Sequence, residues 1–120
     1  MTPYLPITLL GLSLSTSLPA AEDPRSPGDM SVDERTTMMR AANDYNTCVY
    51  ETAMEKVHAD PDIRRVADMA LGDCRGQLDQ LGDTITGWGF DEGFATGFTR
   101  NVRNRAARQI MPELAVRKAR

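Results

Sequence analysis

Cys48 and Cys74 stand thirteen residues either side of Pro61, and both fall on apolar stripes of three- and four-residue spacing. This symmetry constrains the fold more than any other feature of the chain. Two antiparallel helices of equal rise meeting near Pro61 bring the two sulfurs level, as a disulfide with Cα atoms about 5.5 Å apart requires. Such a bridge stabilises by about 3.5 kcal/mol through the loop entropy it removes from the unfolded chain. The competing reading is a pair of buried free thiols. A catalytic pair is disfavoured, because no C-x-x-C motif is present to lower a thiol pKa.

The flanking sequence supplies the helices. Ser31-Val32-Asp33-Glu34 matches a capping box, in which the hydroxyl and the carboxylate satisfy two orphan amides at a helix start. From there Met38, Ala41/Ala42, Tyr45, Cys48/Val49, Thr52/Ala53 and Val57 recur at helical spacing, which predicts a first helix ending near Ala59. Asp60-Pro61 predicts the next start, with Asp as N-cap and Pro at the first position, where no amide is needed. Ile63, Val66/Ala67, Ala70, Cys74, Leu78, Leu81 and Ile85 then form the stripe of one second helix, ended by Gly87 and Gly89. Asp91 caps a third that carries Phe94, Phe98, Val102, Ala106 and Ile110. Pro112 is expected to stop or kink it, leaving a short last helix to about Lys118.

The predicted fold is all-α: a disulfide-stapled antiparallel helical hairpin plus a third helix, a small three- or four-helix bundle. Residues 31–120 form its single domain, divided into the hairpin 31–87, an aromatic and glycine-rich turn 87–91, and a basic C-terminal helix 91–120. Gly93 and Gly97 lie one turn apart, which would let another helix approach closely while the phenylalanines fill the gap behind.

Ahead of the domain the chain changes character. The first 21 residues carry no charged side chain, and Leu5 to Leu18 is an apolar run followed by Pro19-Ala20-Ala21. This reads as a signal peptide over 1–20, cleaved near Ala20, although no Lys or Arg marks its start. A membrane anchor is the poorer reading, since the run of about 14 residues holds prolines at both ends and a spanning helix needs roughly 20. Residues 21–30, with two prolines and no periodicity, read as a flexible linker. The expected location is therefore the periplasm or the exterior, with no transmembrane span after cleavage. Only four leucines then remain, Leu71, Leu78, Leu81 and Leu114. Small exported domains commonly offset so thin a core with a disulfide.

Charge is polarised along the chain. Residues 100–120 carry seven basic side chains against Glu113 alone, whereas everything before them carries sixteen acidic against seven basic. The modest net charge of −3 is thus the sum of a −9 body and a +6 tail. Nucleic acid is excluded as a partner by export and by the lack of aromatics interleaved with these arginines. Three readings remain for the basic helix. It docks on its own acidic hairpin, it meets an acidic partner through Arg100, Arg103, Arg105 and Arg108 with Trp88 and Phe90 at the edge, or it contacts an anionic membrane peripherally.

Other chemistries find little support. Two cysteines and one histidine cannot build a zinc ribbon. Glu51, Glu55 and His58, with Met54 beside them, are the candidate metal ligands, but a di-iron bundle site needs two Glu-x-x-His elements and only one exists. The methionines lack the clustering of a copper(I) site and read as core filler. With His58 as sole imidazole and no activated nucleophile in sequence, the chain does not read as an enzyme, and no cofactor is implied. What remains is an exported, non-catalytic interaction module: an accessory subunit, inhibitor, immunity protein or adaptor. Its partner is an envelope protein with an acidic surface, or a second copy in a homodimer through the third helix. A periplasmic metal-handling protein is the alternative, and an envelope-stress chaperone the third possibility.

Overall fold

A computed structural model describes residues 2–4, 6, 11–13 and 23–120. Most of the segment read as a signal peptide, its cleavage site included, lies outside the described residues. Among those described, no helix is long and apolar enough to cross a membrane. The fold is all-α. Four α-helices follow one another: α1 (Val32–Lys56), α2 (Ile63–Asp73), α3 (Arg75–Gly87) and α4 (Glu92–Lys118).

Helix α1 starts where the capping box predicts. Ser31 Oγ accepts from the Glu34 amide at 3.0 Å, and the Ser31 amide donates to the Glu34 carboxylate at 2.9 Å. Its buried stripe is Met38, Ala42, Tyr45, Val49 and Ala53.

The second start differs from the prediction. Asp62, not Asp60, is the N-cap, accepting from the Arg64 amide at 2.9 Å. Asp60 folds back to accept from the Asp62 amide at 2.8 Å. The reason is tertiary: Lys118 Nζ, at the far end of α4, donates to the carbonyls of Val57 and Asp60 at 3.0 and 2.8 Å. Those contacts hold residues 57–62 as a loop.

The single second helix of the sequence reading is two. It breaks at Cys74, whose φ of −92° and ψ of 1° lie in the sparsely populated bridge region. Gly72 and Gly76 weaken the helix on both sides, and Cys74 is buried and bonded to Cys48. The disulfide itself is present as expected, with Cα atoms 6.0 Å apart.

Helix α4 is capped by Asp91, which accepts from the Gly93 amide at 3.0 Å. It runs unbroken through Pro112, where a stop or kink was expected. Proline leaves the Arg108 carbonyl without an intrahelical donor, yet Ile110 and Leu114 on either side are buried and Lys118 ties down the end. Packing outweighs the local break.

The core divides into two clusters. One surrounds the disulfide and joins α1, α2 and α4 through Val49, Ala53, Val66, Ala70, Ile110 and Leu114. The other joins α1, α3 and α4 through Met38, Leu81, Ile85, Phe90 and Ala95, with Trp88 and Phe94 packed against it.

The stretch read as a flexible linker is held to this second cluster at Arg25 and Met30. The Arg25 amide donates to the Gly89 carbonyl at 2.9 Å. Its guanidinium grips both oxygens of Glu34 at 2.7 and 2.9 Å, donates to the carbonyls of Trp88 and Asp29, and lies 4.4 Å above the Phe90 ring. Gly89, at φ +95°, makes the turn that offers its carbonyl to this strap.

Candidate interaction surface

Helix α4 separates its apolar and basic sides by periodicity. Ala95, Val102, Ala106, Ile110 and Leu114 point into the core, and Arg100, Arg103, Arg105 and Arg108 are all exposed. Among the described residues none of the four forms an ion pair. The acidic side chains that do pair use Arg25, Lys56, Arg65 and Arg75 instead. The basic helix thus joins its own chain through apolar contacts and Lys118 rather than through these arginines.

The arginines do not share one face. Arg100 and Arg103 border a cleft of about 600 Å³ between α4 and the α2–α3 junction, opposite Asp68, Arg75 and Asp79. Beneath them lies Tyr45, 1% exposed, with a buried hydroxyl that has no hydrogen-bond partner among the described residues. Burial pushes its phenol above the ordinary value of 10.0, and the nearby Arg103 charge partly opposes that shift. Arg105 turns the other way, toward a groove between α1 and α4. Arg108 borders none of these clefts and faces outward.

That groove is continuous along two helices running in the same direction. Met39 and Asn43 face Phe98 and Asn101 at one end, Tyr50 and Glu51 face Pro112 and Glu113 at the other, and Val57 meets Lys118 beyond. Its larger part encloses about 670 Å³. Asn46 lines both parts, and its side-chain oxygen is buried without a partner among the described residues.

The aromatic edge expected at the surface is mostly interior. Phe90 is 4% exposed beneath the Arg25 guanidinium, its ring 5.7 Å from that of Phe94. Trp88 is half-buried against the same cluster. Phe90 is therefore a core residue, because the strap covers the face that periodicity alone leaves open. The glycine pair does not bring a helix close. A Cβ on Gly97 would meet open space, whereas one on Gly93 would lie 2.7 Å from the Asp91 carboxylate, so Gly93 serves the N-cap.

Glu51, Glu55 and His58 are exposed, and Met54 packs against the disulfide cluster. They do not converge. Among the described residues no group of three or more His, Cys, Asp and Glu side chains is placed to hold a metal ion.

Arg25 is the residue that sequence reasoning missed. Its signal was present in Ser26-Pro27-Gly28-Asp29, a short capping pattern that closes a 3-10 turn over 27–29 and aims the chain back at Glu34. The Arg25 pair holds the Glu34 carboxyl down from 4.5 to about 2, helped by the Ser31 amide. No family model matches the chain, and neither a curated protein nor a solved structure is detectably similar to it.

Proposed function

We propose that the protein is an exported, non-catalytic interaction module that captures an acidic envelope protein through the arginines of α4. The scaffold we read is a stapled antiparallel hairpin of α1 with α2–α3, against which α4 lies. One observation carries the reading: four exposed arginines project from a helix held to the body by its apolar stripe and by Lys118, and none of the four is neutralised by the described part of its own chain. An array of that kind raises the encounter rate with an acidic surface and fixes its register. The charge-free, apolar first 21 residues and the disulfide support export.

The test is affinity capture from a native envelope fraction, comparing the protein with its R100Q/R103Q/R108Q variant. The expected result is an acidic protein held by the parent, released by salt and lost from the variant, with helical circular dichroism unchanged. Loss of helicity in the variant would mean that the arginines serve the fold, and capture insensitive to both salt and substitution would remove the proposal.

A further inference from the structure

The groove between α1 and α4 lies apart from the Arg100–Arg103 cleft. Every exposed large apolar side chain of the helical body, among the described residues, belongs to α1 or α4: Val32, Met39, Tyr50 and Val116. Val32, Met39 and Tyr50 are spaced by seven and eleven residues and so share one stripe of α1. Val116 lies one turn beyond Pro112 on the same side of α4. The two helices run together for about 35 Å and are about 20 Å wide as a pair. The resulting face approaches the roughly 800 Å² per partner of a standard interface.

We propose that this face docks a second copy of the chain, antiparallel about a two-fold axis, as an isologous homodimer. The charges along the groove are complementary to themselves when inverted. Arg105 lies toward the Met39 end, and Glu51 and Glu113 flank the Tyr50 end on opposite walls. A two-fold axis near Asn46 sets Arg105 of each copy between Glu51 and Glu113 of the other. It also brings the two Asn46 side chains together. Each has a carbonyl oxygen without a donor, and rotation about the soft terminal torsion turns it to the seam, where the other amide donates. A single buried Asn specifies register in the same way at coiled-coil seams. Met39 and Phe98 of one copy then cover Tyr50 and Pro112 of the other.

Sedimentation equilibrium on the purified full-length, oxidised chain tests this with no other protein present, so it stands or falls separately from capture of an acidic partner. At about 100 μM, enough to populate a weak micromolar complex, the expected species is a dimer. Charge reversal by R105E alone, or by E51R/E113R alone, weakens it by about tenfold or more. The triple variant R105E/E51R/E113R restores the dimer, an outcome that damage to the fold cannot produce. A monomeric parent at that concentration overturns the proposal. So does a dimer indifferent to the single-sided reversals, or a triple variant that stays monomeric.

Discussion

The two ends of the bundle face the same shortage of large apolar side chains and meet it by different means. Around Cys48 and Cys74 the core is built largely of small residues, Ala42, Ala53, Ala67, Ala70 and Ala106 among them, and a covalent bond joins its helices. At the opposite end the side chains are larger, Met38, Leu81, Ile85 and Phe90, and the closure is a single arginine. Arg25 satisfies two backbone carbonyls, pairs with Glu34 and covers an aromatic ring at once. One end therefore depends on a bond that reductant breaks, and the other on an ionised carboxylate paired with Arg25.

The largest effect separating them is removal of the disulfide. C48S/C74S lowers stability by about 3.5 kcal/mol, measured by urea unfolding, whereas the contact of Arg25 with the turn survives in the folded fraction. Equal loss at both ends, read by hydrogen exchange, would mean that the two clusters unfold as one unit. Gly89→Ala acts only at the strap end. At φ +95° it introduces strain of roughly 1–2 kcal/mol, and the same exchange experiment places the extra opening at residues 23–30 and 88–91.

Acid distinguishes the ends without mutation. The folded-state pKa of Glu34 lies below its ordinary value, so its contribution is complete above pH 4.5 and disappears as pH falls toward about 2. Trp88 is the only tryptophan, and its carbonyl accepts from Arg25. Its emission should shift across that window, and E34Q should remove the transition at constant disulfide content. An unchanged acid transition in E34Q would assign it to other carboxylates.

The smallest effect concerns Tyr45, buried within the disulfide cluster. Its phenol is raised in the folded state, so the folded form is favoured below pH 10.0, and that advantage is lost as pH rises through the folded-state pKa. Absorbance at alkaline pH should show the Tyr45 phenol ionising only above the ordinary value of 10.0. Arg103→Gln, which removes the opposing charge, should move the Tyr45 step higher still.

Much of this molecule was legible in the residue pattern because the deciding interactions are local. The capping boxes at Ser31 and the cap at Asp91 depend on residues three or fewer positions apart, and the pairing of Cys48 with Cys74 follows from helical rise. The exposure of the α4 arginines follows from the 3.6-residue period. The misreadings share a cause. Pro112 argues for a break, yet Ile110, Leu114 and Lys118 find partners only in α1, α2 and the 57–62 loop. Asp60-Pro61 argues for a helix start two residues too early, because the carbonyls that Lys118 occupies are invisible from the sequence around Pro61. Phe90 reads as an edge residue until a segment more than sixty positions away covers it.

The sequence by itself therefore determined the helical class, the disulfide, the caps at Ser31 and Asp91 and the exposure of the α4 arginines, all set by local periodicity and backbone hydrogen bonding. Only the tertiary structure decided which end receives Arg25, how the arginines divide between a cleft and a groove, and which apolar side chains stay uncovered. Those outcomes depend on contacts between distant residues, whose free energies enter only once the helices are packed.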